Sequence, residues 1–533
     1  MTPEHEILSD ASANGMDVAR VAAQHPDRLA VISEQHGKRT FRELNRRANQ
    51  LVRALRERGV RDGDHVALLC SNRPEFAEAI VAANRSGVIL SPVNWHLSAE
   101  EIAYVVADCG AKAFIAEDRF SAAATLAARG SERLAVRFAV GTDIEGFDAY
   151  DAALSVESGD DIQDPRFGSF MFYTSGTTGR PKGVRQLAAA EHSGAWVQLL
   201  AAVYDFRRDA NDVVLSTGPL YHGGPLHFCV NVPLVCGIPV VLMQQWDAED
   251  MLRFIETYRV THVFCVPTMF RRLLALPQET RRRYDLTSLR FILHGGAPTP
   301  VSDKLAIIEW LGPILTEIYG ATEGVATMIG SAEWLRKIGS VGQPPADRIR
   351  ILGEDRQPVP PGQVGTIYMK PYGRFEYFNA PEKTTECQEE DFVTVGDLGR
   401  LDEDGHLYIT GRSAELIISG GTNIYPAEID HVLLAHPAVC DAAAFGVPND
   451  DWGEAVEAVV VLVPGAQPTP ALERELLAHC QQHLGTLRTP RRVEFVAEVP
   501  RSAAGKLLRK TLRDQYCNRH APRGAEEAKT RRE

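Results

Sequence analysis

From Phe170 to Val184 the chain reads Phe-Met-Phe-Tyr-Thr-Ser-Gly-Thr-Thr-Gly-Arg-Pro-Lys-Gly-Val. Thr174, Ser175, Thr177 and Thr178 bring hydroxyls, Gly176, Gly179 and Gly183 let the backbone aim its N–H groups without Cβ obstruction, and Lys182 adds a full positive charge. Such a loop can hold a phosphate. The plainer reading of a Gly/Ser/Thr stretch is a surface strand-to-helix turn. The Walker A arrangement puts Lys directly after Gly and then Ser or Thr. Here Arg180 and Pro181 separate Gly179 from Lys182 and Gly183 follows, so this is a different phosphate loop.

Five more segments carry the same mixture of glycine and isolated polar side chains. Residues 293–298 read Leu-His-Gly-Gly-Ala-Pro and 318–324 read Ile-Tyr-Gly-Ala-Thr-Glu-Gly. Residues 396–412 open on Gly396-Asp397 and close on Gly411-Arg412, residues 419–429 open on Ser419-Gly420-Gly421, and residues 500–509 hold Gly505-Lys506. Each alone has an ordinary explanation. Thr322-Glu323 reads as a helix N-cap, Asp397 as an Asx turn, and Gly295, Gly296 and Ala297 as tight packing of a strand end. Arg412 reads as a surface salt bridge, Gly420-Gly421 as a turn before a helix, and Lys506 as a solvated loop residue. In this order, over about residues 20–515, the segments resemble the adenylate-forming superfamily of acyl-CoA synthetases, firefly-luciferase-like enzymes and peptide-synthetase adenylation domains.

The resemblance implies an ATP-dependent carboxylic acid:CoA ligase. A carboxylate resists nucleophilic attack because its anionic oxygen leaves poorly, and joining it to AMP replaces that leaving group. Pyrophosphate departs in the first half-reaction; the second moves the acyl group to the CoA thiol and frees AMP. The resemblance also implies roles. Thr174, Ser175, Gly176, Thr177, Thr178, Gly179 and Lys182 would hold the ATP phosphates. Glu323 would ligate Mg²⁺, which favours a hard carboxylate oxygen, and Thr322 would reach the α-phosphate. Gly295, Gly296 and Ala297, with Tyr319, Gly320 and Ala321, would admit adenine or the acyl chain, Tyr319 stacking on the base. Asp397 would accept both ribose hydroxyls and Arg412 would contact the ribose. Lys506 would bind the carboxylate and α-phosphate during adenylation, and His222 would stand near the incoming carboxylate or thiol. In the family the terminal domain then turns on a hinge two residues after the motif arginine, bringing Gly420 and Gly421 to CoA. That hinge residue is here Ala414, where the family usually has Asp or Lys. Alanine permits rotation but has no polar side chain to stabilise either pose.

Helical spacing of Phe41, Leu44, Ala48, Leu51, Val52 and Leu55 predicts a helix stopped by Gly59. Apolar runs at 65–69, 87–92 and 111–115 alternate with helical patterns at 74–84 and 98–107, the signature of a parallel α/β sheet. The alternation continues through strands at 213–216, 239–243, 262–266 and 289–293. After about Pro344 short alternating segments predict antiparallel β structure, and beyond Arg412 helices at 426–435 and 470–484 with strands at 441–445, 458–463 and near Val493 predict a compact α+β module. The expected fold is therefore α/β: a large domain over 1–413, whose 345–413 part is β-rich and barrel-like, then a small mobile α+β lid over 414–517, and a solvated tail at 518–533.

Composition narrows the class. The 533 residues carry a net charge of −13, which disfavours a nucleic-acid-binding surface, and 44% hydrophobic with 24% charged residues is a globular balance. Nine cysteines without CxxC or metal-ligand spacing read as reduced thiols of a cytoplasmic protein, and no apolar run reaches membrane-spanning length. The expected partners are a small carboxylic acid, ATP and CoA, with no nucleic acid and no membrane span; a homodimer is left open. The loop 219–226 has no aspartate for an amino-acid ammonium, and Val266, Met269, Phe270 and Leu293 suit a hydrophobic acid: medium- or long-chain, aryl or steroid-type. The alternatives are an adenylating enzyme that passes the acyl group to a carrier-protein thiol or oxidises it as luciferases do, and a non-catalytic nucleotide-binding regulator.

Overall fold

A computed structural model of the chain describes residues 14–174, 180–186, 200–207, 211–371, 373–449, 451–502 and 506–520. The chain divides into two compact units, one of Met1–Gly295, Ile307–Ala332 and Lys370–Val393, the other of Gly296–Ala306, Glu333–Met369 and Thr394–Glu533.

In the first unit the helix Phe41–Glu57 starts from a capping box: the Thr40 hydroxyl accepts from the Glu43 backbone N–H while the Glu43 carboxylate accepts from that of Thr40. All six apolar positions that predict this helix are buried. The helix Pro74–Ser86 is buried at every residue, with proline in its first turn and Gly87, at φ 78°, taking the left-handed cap. That cap explains why the strand expected from residue 87 begins at Ile89. A helix enclosed on all sides must pair its charges. Glu78 accepts from Arg39 at 3.0 Å, Arg47 at 3.1 Å and the Tyr150 hydroxyl at 3.0 Å.

One hydrophobic core joins these helices to two eight-stranded sheets. The first sheet runs Gly324–Gly330, Leu315–Ala321, Phe291–Gly295, His262–Cys265, Val214–Ser216, Val240–Leu242, Leu29–Ser33, Gly37–Thr40, parallel except at its two edges. The second runs Phe375–Tyr377, Lys182–Gln186, Ser169–Thr174, Ile89–Pro92, His65–Leu69, Ala113–Glu117, Val136–Val140, Asp148–Ala149. From Ser169–Thr174 onward it is parallel, and its first two strands are antiparallel.

The second unit contains the strands Ile349–Leu352, Gly365–Met369, Asp397–Leu401 and Leu407–Arg412, antiparallel in that order. Its five-stranded sheet is built on a long hairpin, Val439–Asn449 with Gly453–Leu462, flanked by Ile417–Ser419, Thr422–Ile424 and Val493–Phe495. Ala442, Ala444, Val456, Ala458 and Val460 face the helices Pro426–Leu434 and Pro470–Leu484, while Ala443, Phe445 and Val459 face Leu512 and Tyr516 of Arg509–His520. That last helix runs into the segment expected to be a solvated tail from 518; residues 521–533 lie outside the described part. Among the described residues no helix is long and apolar enough to cross a membrane.

Candidate active site

The glycine-and-hydroxyl stretch stands between two antiparallel strands, not between a strand and a helix. Strand Ser169–Thr174 pairs with Lys182–Gln186 in antiparallel register, so Thr174 lies opposite Lys182 and both frame the loop. Ser175, Gly176, Thr177, Thr178 and Gly179 lie outside the described residues. A second hairpin stands in the same unit. Ala321 pairs with Gly324, which leaves Thr322 and Glu323 as its two turn residues, so the pair caps no helix.

The two hairpins are tied together. The Gln186 side-chain amide donates to the Thr322 carbonyl at 3.1 Å, and the Tyr377 hydroxyl donates to the Glu323 carboxylate at 2.7 Å. Tyr377 is on the strand Phe375–Tyr377 that pairs with Lys182–Gln186, and its ring lies 5.5 Å from the Lys182 ammonium. Glu323 is 7% exposed. Desolvation and then the nearby Lys383 hold the Lys182 ammonium below its ordinary pKa, while Glu323 acts in the opposite direction. A buried carboxylate and a half-buried ammonium thus flank one tyrosine at the mouth of the phosphate hairpin.

Tyr319 and Gly320 precede this turn on Leu315–Ala321, where the ladder shifts register between them. A Cβ at Gly320 would stand 2.8 Å from the Gly324 carbonyl oxygen, and one at Gly295 would stand 2.5 Å from that of Ile318. The packing of neighbouring strand ends therefore already demands glycine at Gly295. Gly296 has φ 83° and is exposed, and Ala297 is half-buried. His222 sits in the turn before the helix Pro225–Asn231, its backbone N–H bonded to the Pro219 carbonyl at 3.2 Å and its ring 4.5 Å from that of Tyr221.

Of the residues expected around the acyl group, Leu293 packs in the core shared by the two sheets, with Val266 against it. Met269 and Phe270 belong to the other core, on the far face of the first sheet, where Phe270 is fully buried and 5.1 Å from the His294 ring. They are packing residues there, not lining of the side on which His222 lies.

In the second unit Asp397 and Arg412 begin and end adjacent strands in direct register, and the Arg412 Nε donates to Asp397 Oδ1 at 2.9 Å. The salt-bridge reading of Arg412 and the ribose reading of Asp397 thus meet in one pair, with Asp397 at 7% exposure and the arginine side chain at 45%. Gly420 and Gly421, at φ 57° and 77°, form the two-residue turn between Ile417–Ser419 and Thr422–Ile424. Two successive positive φ angles are what a type I′ hairpin needs. The Gly420 N–H donates to the Trp452 carbonyl at 2.8 Å, and a Cβ there would meet the Trp452 ring at 2.6 Å.

Lys506 is exposed. Its backbone is held by reciprocal bonds with Ser502, Ser502 N–H to the Lys506 carbonyl at 2.7 Å and Lys506 N–H to Ser502 Oγ at 3.2 Å. Three residues on, Arg509 bonds Glu415 at 2.8 Å, the Ala444 carbonyl at 2.5 Å and the Asp430 carboxylate. Sequence reasoning selected neither Tyr377 nor Trp452, nor the Arg509 cluster. Tyr377 belongs to a Phe-Glu-Tyr stretch, but nothing in the sequence pairs it with Glu323.

Residues 18–376 match the family described as AMP-binding enzyme, and residues 428–506 match the AMP-binding enzyme C-terminal domain. The chain belongs to the AMP-binding enzyme family. It is 34% identical to a feruloyl-CoA synthase of Amycolatopsis sp over 481 residues, covering 90% of this chain and 94% of that one. It is also 34% identical to a 2-succinylbenzoate–CoA ligase of Geobacillus kaustophilus, over 92% of this chain and 95% of that one. Among solved structures the amide bond synthetase McbA of Marinactinospora thermotolerans superposes with a TM-score of 0.80 at 29% identity, covering 94% of this chain and 100% of that one. The adenylate-forming resemblance and the α/β fold with its smaller C-terminal module are borne out.

Proposed function

We propose that this member of the AMP-binding enzyme family is an ATP-dependent carboxylic acid:CoA ligase that makes an acyl-AMP, releases pyrophosphate and then forms the acyl-CoA thioester with release of AMP. The observation that carries this reading is the joined pair of hairpins. Thr174 and Lys182 frame the phosphate loop, and Tyr377 fixes the Glu323 carboxylate beside it. Attack on the α-phosphate spreads negative charge over phosphoryl oxygens, and fixed donors and cations aimed there lower the barrier. Among the described residues no three His, Cys, Asp or Glu side chains gather as a metal cage. One carboxylate suits Mg²⁺, which keeps water and phosphate oxygens as its other ligands. Glu323 would hold the ion, which when bound would neutralise phosphate charge.

In this reading Asp397 and Arg412 hold the ribose and the exposed Lys506 binds the carboxylate and α-phosphate. His222 stands near the incoming acid. The region 414–517 acts as a lid turning at Ala414, and the turn at Gly420 and Gly421 then meets CoA. The acid is hydrophobic, of the alkyl, aryl or polycyclic kind. A CoA acceptor is favoured by the two ligase relatives, and the likeness to an amide bond synthetase keeps an amine acceptor as the second reading.

The test is acid- and CoA-dependent release of AMP and pyrophosphate; ADP as the nucleotide product would reject the reading. Lys506→Ala should lower acid-dependent pyrophosphate exchange by about a hundredfold or more, ~3 kcal/mol, while ATP binding is retained. Unchanged exchange in that variant would remove the lysine from the mechanism. Replacing CoA with an amine under the same conditions separates the two acceptors.

A further inference from the structure

Resting on the ligase reading, we infer that His227 recognises a hydrogen-bonding substituent on the acid, so that the substrate is a flat aryl acid carrying a hydroxyl, amino or similar polar group and not a plain alkyl chain. His227 lies on Pro225–Asn231, a π-helical turn in which the Val232 N–H bonds back to the His227 carbonyl. Such an inserted turn re-aims one side chain, and π-bulges occur often at functional sites. The four neighbours Leu226, Phe228, Cys229 and Val230 are 0% exposed, yet the His227 side chain keeps accessible surface. Within 226–230 His227 is thus the one residue that keeps accessible surface, at a place otherwise closed to bulk solvent.

That place has aromatic walls. The imidazole meets the Phe170 and Phe172 rings edge-on at 5.3 and 5.8 Å. Phe170 and Phe172 alternate on one face of the strand Ser169–Thr174, and Thr174, two residues further, frames the phosphate hairpin. At about 3.3 Å per residue, the two phenyl rings lie roughly 7 to 13 Å down the strand from Thr174, the depth an aryl or arylalkenyl acid needs with its carboxylate at the nucleotide. Gly223 and Gly224 place no side chain against the neighbouring buried rings: a Cβ at Gly223 would touch Phe172 at 3.6 Å and one at Gly224 would touch Phe264 at 3.3 Å. Flat rings with small residues beside them leave a slot for a flat ligand.

The chemistry at the bottom of the slot is selective. Desolvation lowers the His227 pKa to about 4, so at neutral pH the imidazole is uncharged and offers one donor and one acceptor nitrogen. Among the described residues neither nitrogen has a hydrogen-bond partner. An alkyl chain filling the slot would strip water from the imidazole and return no hydrogen bond. A ring hydroxyl or amine would satisfy it.

The experiment measures kcat/KM by CoA-dependent AMP release for 4-hydroxybenzoate against benzoate, 4-hydroxycinnamate against cinnamate, and octanoate. Wild type should favour the hydroxylated member of at least one pair by about tenfold or more, and should turn over octanoate more slowly still. His227→Phe should erase the preference by slowing the hydroxylated acid, with the KM for ATP unchanged. Turnover of benzoate, cinnamate or octanoate equal to or faster than the hydroxylated acids in wild type would overturn the inference and leave the ligase reading standing, whether or not the variant folds. A preference that survives in folded His227→Phe would overturn it too. AMP release with none of these acids, nor with any other in a broad panel, would overturn the ligase reading and this inference with it.

Discussion

Removing one oxygen atom from Tyr377 tests how the Glu323 carboxylate is held. That hydroxyl donates to a carboxylate almost closed to solvent, and Tyr377→Phe leaves the ring under Lys182 in place while withdrawing the donor. Loss of a partner by a buried polar group costs about 1–3 kcal/mol, and more where the group is charged. The expected outcome is a fall in thermal midpoint of a few degrees and a several-fold rise in the KM for ATP that excess Mg²⁺ partly reverses; wild-type values for both would show that Glu323 is oriented by its turn alone. At this scale the sequence is uneven. Thr174, Lys182, Thr322 and Glu323 are legible because each sits in a short segment whose composition has few other uses. Tyr377 is not, since its role comes from a strand pairing between segments far apart in the chain. Met269 and Phe270 misled for a related reason: apolar type says that a side chain is buried, and only the sheet decides on which face.

Among the elements, the turn at Gly420 and Gly421 is the most constrained. Gly420→Ala must accept φ 57° and drive its methyl into the Trp452 ring. The expected destabilisation is about 1–3 kcal/mol in a denaturant melt, and Gly420→Ala with Trp452→Ala should recover the steric part but not the backbone part. Full recovery would mean that the left-handed conformation costs nothing here. Most elements were legible from periodicity, the helix Phe41–Glu57 above all. The hairpin Val439–Asn449 with Gly453–Leu462 outruns the strands expected at 441–445 and 458–463. Both its faces are covered by helices, so it lacks the alternation of apolar and polar residues that marks the length of a half-exposed strand.

For the whole molecule, three histidines of the first unit link stability to acidity. His65, His227 and His262 are each lowered from 6.5 to about 4, chiefly by desolvation. In the unfolded chain they bind protons as pH falls through 6.5, whereas the folded chain takes them up only near 4. Unfolding therefore absorbs protons in that window, and their contribution to stability is full above pH 6.5 and is lost as pH falls toward 4. Each adds at most about 1.4 kcal/mol per pH unit. Denaturant melts at pH 7, 6 and 5 should give steadily lower unfolding free energies, and His227→Phe should lessen the slope by about one proton. A stability that is flat over this range would mean that the three rings titrate normally in the fold.

One further consequence belongs to Arg509. Its guanidinium clamps Glu415, the residue next to Ala414, to the base of the segment that ends in Lys506. If the chain pivots at Ala414, the clamp leaves no slack between pivot and lysine: the ammonium swings like the tip of a crank whose shaft is welded at Arg509. Loosening that weld would let the shaft turn while the tip lags, so damage there should appear as mistimed half-reactions before it appears as weak binding.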